Sequence, residues 1–295
     1  MTSNTENIPM PKSNRALFLE QMNRTFRSNK LTGVGATIFL LVVLAAIFAP
    51  LLSTHDHIDQ NILNRLEGPS EQFLMGTDAY GRDIYSRLLH GARISLIIGG
   101  VAIISAMIIG TAIGIIAGYY GGRTDDVIMQ FNDILLSFPT LILGLIVVAM
   151  LGPSMQNMII AISLTSIPGF TRIARAPTIV IRERDFIEAC RALGYRDWRI
   201  MVYHILPNVL SDVMVMASLW LATAIRTEAS LSFIGLGVKP PEATWGGMIR
   251  EGFENILDNP WLSIFPGLAI LLVVFSLNLL GDGLRDAIDP KTRED

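Results

Sequence analysis

Charge, cysteine and lysine are all scarce in this 295-residue chain. Only 17% of its residues are charged, where soluble domains carry about 25%. The shortage sits beside 51% hydrophobic residues, a figure that omits 25 glycines, and a mean hydropathy of +0.47. That balance excludes a disordered chain and a soluble enzyme of ordinary composition. It also excludes a nucleic-acid binder driven by a basic patch, because 23 Lys and Arg meet 26 Asp and Glu for a net charge of -3. A single cysteine, Cys190, excludes an internal disulfide. The lysines are Lys12, Lys30, Lys239 and Lys291, and none follows a glycine, so the chain has no phosphate-binding loop of its own. No Gly-x-Ser-x-Gly elbow and no His-Glu-x-x-His pattern occurs. His55-Asp56-His57 is too thin a set for a metal site and reads as a solvated loop.

What is present is a series of long apolar runs. Stretches free of Asp, Glu, Lys and Arg cover 31–55, 94–122, 134–171 and 259–281. A membrane helix needs about 20 mostly apolar residues. The third stretch is broken by Leu151-Gly152-Pro153-Ser154, so it reads as two helices joined by a tight turn. A further run, Val209 to Leu231, is apolar except for Asp212, Arg226 and Glu228. The expectation is an all-α polytopic membrane protein with spans at 31–54, 94–118, 134–151, 155–174, 209–231 and 261–281. One side would hold the loops 55–93 and 232–260. The other would hold the tail 1–30, the loop 175–208 and the tail 282–295. Met1 to Ser13 reads as disordered, and the first span does not resemble a cleaved signal peptide. With Arg123 and all seven arginines from Arg172 to Arg199 counted beside the two tails, 16 basic residues fall on the side of the termini and 6 on the opposite side. The positive-inside rule then places both termini in the cytoplasm. Four arginines in the first outer loop (Arg65, Arg82, Arg87, Arg93) run against that count.

Two features stand out within this plan. Ala102, Ala106, Gly110, Gly114 and Gly118 recur every four residues and predict a groove for a closely packed neighbouring helix. Between the fourth and fifth spans, Arg172 to Asn208 carries seven arginines. Within it the spacing predicts a short helix from Asp185 with an apolar face of Phe186, Ala189, Cys190 and Leu193, stopped by Gly194. A second helix is expected from about Asp197 to Leu206, with Trp198, Met201, Val202 and Ile205 in register and Pro207 as its end. Such a pair either docks in the groove of a soluble partner or rests on lipid.

Glu188-Ala189-Cys190, three residues, Gly194, and a run ending Leu206-Pro207 resemble the EAA loop of ABC-importer permeases. Cys190 stands at the family's third small position and His204 at its isoleucine. Three further runs resemble the peptide-transporter branch. They are Met75-Gly76-Thr77-Asp78-Ala79-Tyr80-Gly81-Arg82-Asp83, then Leu231-Ser232-Phe233-Ile234-Gly235-Leu236-Gly237 with Trp245-Gly246, and Asn278-Leu279-Leu280-Gly281-Asp282-Gly283. The resemblance is closest to the second permease subunit of dipeptide, oligopeptide and nickel importers and covers roughly Leu31 to Lys291, with a permease core at 94–290.

This resemblance implies a type I importer permease fold in the bacterial inner membrane. It implies a heterodimer with a second homologous permease, two cytoplasmic ABC ATPases and an extracytoplasmic solute-binding protein. ATP and Mg would be used by the ATPases and no cofactor by this chain, which would not itself be an enzyme. Asp185, Glu188, Ala189, Arg191, Gly194 and Pro207 would form the ATPase-coupling element. The solute would be a di- or oligopeptide, with nickel chelates or glutathione as alternatives. An ion-coupled transporter would need acidic groups deep in its spans, and an intramembrane enzyme a catalytic pair there; neither pattern is visible. Arg226 and Glu228 are ionisable groups in the fifth span. They are either interfacial anchors or residues that meet a peptide's charged termini, and two residues apart they do not share a helix face.

Overall fold

The computed structural model describes residues 30–288, so the expectation for Met1 to Ser13 lies outside the described residues. The elements are α1 (Lys30–Ile47), α2 (Ile84–Tyr120), α3 (Gly122–Leu136), α4 (Thr140–Leu151), α5 (Met155–Arg182), α6 (Asp185–Ala192), α7 (Leu206–Leu231), α8 (Trp245–Glu254) and α9 (Trp261–Ile288). Among the described residues the only β pairing is an isolated bridge between Thr77 and Asp83. Five helices are long and apolar enough to cross a membrane: α1, α2, α5, α9 and the continuous run Asp197–Leu236 that contains α7. A sixth span results if the bent pair α3 and α4 counts as one.

The expected third span, 134–151, is not one helix. α3 and α4 meet at 88°. Pro139 supplies the break: it has no N–H to donate, and its ring disfavours helical geometry at Phe138. α4 alone, at 12 residues, is about 18 Å long and falls short of a ~30 Å hydrocarbon core. α2 begins ten residues before the charge-free run, because Asp83 caps it by accepting from the Ser86 N–H at 3.0 Å. α5 continues to Arg182 and takes up the start of the expected loop.

The small-residue stripe on α2 receives α5. Ala102 and Ala106 are fully buried. A Cβ at Gly110 would lie 2.6 Å from Phe170 Cβ, and one at Gly118 would lie 2.8 Å from Thr178 Cβ. Gly114 faces the Thr171 carbonyl still more closely. At this approach the Ser163 hydroxyl reaches across to the Ala102 carbonyl at 3.1 Å. On the other side of the bundle, α1 packs on α9: Gly35 lies against Leu279 and Ser276, and Thr32 against Gly283. The glycines of the Asn278–Gly283 run are thus packing positions.

Candidate functional site

The arginine-rich loop folds as a short helix held out from the bundle. Arg184 is extended, and α6 begins at Asp185 with Glu188 also in its first turn, where carboxylates suit the helix dipole. The helix ends on Gly194, whose φ of +76° is cheap only for glycine. The Gly194 N–H bonds the Arg191 carbonyl, and the Tyr195 N–H reaches back to Cys190. Nothing lies within 4 Å of a Cβ added at Gly194, so the residue is fixed by backbone handedness and not by space.

The buried face of α6 differs from the periodicity reading. Ile187 and Cys190 turn inward, while Phe186 (46% exposed) and Leu193 (74% exposed) face outward. Ala189, Glu188 and Arg191 are exposed with them. The outward surface is therefore apolar at two points and charged between them. Pro207 also differs from expectation. It does not end the second helix; Asp197–Ile200 runs through a π-turn, Met201–Ile205, straight into α7. Pro207 lies in the first turn of α7, where a missing N–H costs little. The base of the loop is fixed by Arg175, which grips Asp125 at 2.5 Å, and by Arg182, whose Nη1 donates to the Gly118 carbonyl at 2.8 Å.

The opposite end of α2 carries an ion cluster that sequence reasoning missed. Gly76 and Gly81, both at positive φ, fold the Met75–Asp83 run back on the loop before it. The Asp78 carboxylate accepts from the Tyr80 and Arg82 backbone N–H groups and from Arg82 Nε at 2.6 Å. Arg87 Nε lies 3.3 Å from the same carboxylate. Arg82 and Arg87 both donate to Glu251 on α8, at 3.1 and 3.0 Å. Both guanidiniums are 2% exposed. The surplus of arginine in the 55–93 loop was the available signal. Two of those four arginines are neutralised inside the fold. The cluster borders a cavity of about 630 Å³ whose lining includes Lys239, Glu242, Arg250 and Glu254.

Nearby, the His57 and His90 rings stack at 3.8 Å. Burial, followed by the charge of His90, holds His57 below the ordinary histidine range. Among the described residues no group of three or more His, Cys, Asp or Glu converges as metal ligands.

The two ionisable residues of α7 part company. Arg226 is exposed, with Nη2 on the Thr223 hydroxyl at 3.1 Å. Glu228 is fully buried and accepts from the Ser232 hydroxyl at 2.7 Å. It sits where α7 meets the start of α8, whose Trp245 N–H donates to Ser95 on α2. Enclosed in this way, Glu228 faces protein rather than open space in this structure.

Residues 110–294 match the family described as "Binding-protein-dependent transport system inner membrane component", and residues 18–69 match the N-terminal TM domain of oligopeptide transport permease C. The chain is 46% identical over 270 residues to the dipeptide transport system permease protein DppC of Alkalihalophilus pseudofirmus, covering 92% of this chain and 89% of that protein. It is 42% identical over 285 residues to the glutathione transport system permease protein GsiD of Pectobacterium atrosepticum, covering 96% and 94%. The fold resembles an inward-facing MetNI methionine ABC transporter with a TM-score of 0.55 at 18% identity, covering 68% of this chain and 96% of that one. With the matched region spanning more than half its length, the chain belongs to the family of binding-protein-dependent transport system inner membrane components.

Proposed function

We propose that this chain is the second permease subunit of a peptide-importing ABC transporter of the bacterial inner membrane, with both termini cytoplasmic. The observation that carries this reading is the outward face of α6. Phe186 and Leu193 are exposed around Glu188 and Arg191, on a helix anchored to the bundle by Ile187 and Cys190. That is a surface shaped for a groove in a soluble partner. Two cytoplasmic ATPases, using ATP and Mg, would each seat one such helix, one from this chain and one from a homologous permease. A solute-binding protein would deliver solute to the opposite face. The relatives named for dipeptide and glutathione transport support a peptide as the cargo.

The test is reconstitution with the companion chains and ATP-driven uptake of a panel of dipeptides, longer peptides, glutathione and nickel chelates. Peptide uptake that needs the ATPases and the binding protein is the expected result; uptake driven by an ion gradient alone would overturn the reading. Gly194→Leu should stay in the membrane yet reduce uptake at least about tenfold, because a left-handed leucine costs roughly 1–2 kcal/mol and reorients α6. Intact uptake in that variant would remove α6 as the coupling element. Arg226, exposed on the fifth span, is expected to meet a charged end of the peptide. Arg226→Ala should raise the KM for uptake with little change in protein level, and an unchanged KM would refute that role.

A further inference from the structure

Tyr119 is the penultimate residue of α2, at the end beside the arginine-rich loop, and is 6% exposed. Its hydroxyl donates to Asp197 Oδ1 at 2.8 Å. The Arg191 guanidinium carbon lies 5.2 Å from the centre of its ring. These two partners stand on opposite sides of the Gly194 turn. Arg191 is on the last turn of α6, and Asp197 opens the segment that runs into α7. Both arms of the loop thus close on one aromatic ring of a third helix. Beside them, Arg182 holds the Gly118 carbonyl. α2 is 37 residues long, about 55 Å of unbroken helix. At its far end it carries Arg87, locked to Glu251 of α8.

We infer that Tyr119 is a positioning residue through which displacement of the docking loop is passed to α2, and along α2 to the ion cluster and cavity at the opposite face. This rests on the proposed function, since it presumes that a partner moves α6. A hydrogen bond to a carboxylate is directional and charge-assisted, so it resists sliding of Asp197 past the ring where packing alone would not. The cation–π contact from Arg191 holds the other arm to the same point.

The experiment is the reconstituted whole transporter, with ATPase rates measured with and without solute-loaded binding protein. Tyr119→Phe keeps the ring and removes the hydroxyl. The expected result is normal assembly and basal ATPase rate, with stimulation by the loaded binding protein and uptake both reduced about tenfold, a typical coupling magnitude. Asp197→Asn retains an acceptor oxygen without the charge and should fall between wild type and Asp197→Leu, which should match Tyr119→Phe. The double variant Tyr119→Phe with Asp197→Leu should be no worse than either single change, as for two partners in one contact. Full stimulation in Tyr119→Phe, or additive losses in the double variant, would overturn the inference while leaving the proposed function standing. A wild-type complex that assembles without ATPases, or shows no solute-dependent ATPase activity, would overturn the proposed function and the inference with it.

Discussion

Alanine at Glu251 is expected to unfold the end of the molecule opposite the docking loop. Arg82 and Arg87 are both 2% exposed and share two carboxylates, Asp78 and Glu251. Without Glu251, two buried guanidiniums are left with one counter-charge. Removing one partner of a buried ion pair typically costs about 3–5 kcal/mol, because the desolvated charge that remains has no compensation. The loss should appear as a lowered unfolding midpoint of the solubilised protein and as new protease cleavage between Gly68 and Gly81, the segment that folds onto the cluster. Glu251→Gln keeps the hydrogen-bond acceptor without the charge and should fall between wild type and Glu251→Ala. Because both guanidiniums are buried while Glu251 is 27% exposed, salt should reduce the effect only in part. An alanine variant with a wild-type midpoint would show that the arginines are solvated after all.

A second large effect is expected from leucine at Gly114. A Cβ there would already lie 2.9 Å from Ala174 Cβ and 3.1 Å from the Arg175 amide, and closer still to the Thr171 carbonyl. Two of those neighbours are backbone atoms of α5, which cannot rotate aside. The helices must separate, breaking the close packing that holds them together in lipid. Overpacking a rigid interface costs about 1–3 kcal/mol or more, and a backbone clash sits at the upper end. The protein should fail to accumulate, or should lose its folded fraction on solubilisation. Gly100→Leu is the control: it lies on the same helix, but an added Cβ meets nothing within 4 Å. Equal accumulation of the two variants would refute the tight contact.

The contrast between those two sites also explains what could be read from the chain. The stripe from Ala102 to Gly118 lies within one helix, so its spacing alone announces a close neighbour. The spans were legible for the same reason: the lipid core excludes charge locally, run by run. The cluster was not legible, because Glu251 is 164 positions from Arg87 and only the folded chain brings them together. Its arginines instead made the 55–93 loop look anomalous against the positive-inside count. Excluding charge also cut α2 short at Arg93, although a capped helix tolerates charge at its end. α6 shows a subtler limit. Its boundaries and its glycine stop follow from local rules, but which side is buried depends on what the bundle offers. The core takes Ile187 and Cys190, leaving Phe186 and Leu193 outside. In the third span, a run without charges concealed the bend that Pro139 imposes. Pro207 misled in the opposite sense: the helical run from Asp197 continues past it by way of the π-turn at Met201–Ile205.

The packing of α1 on α9 sets a schedule for how the molecule is made. Gly35 rests on Ser276 and Leu279, and Thr32 on Gly283, so the first span to leave the ribosome has its partner in the last. At roughly 5–20 residues per second, the intervening stretch of about 240 residues takes on the order of 10–50 s to synthesise. Throughout that interval α1 sits in lipid with its glycine face uncovered. α2 can cover part of α1 early, but the glycine face waits for α9, so a truncated chain that lacks α9 leaves that face open for membrane quality control to find.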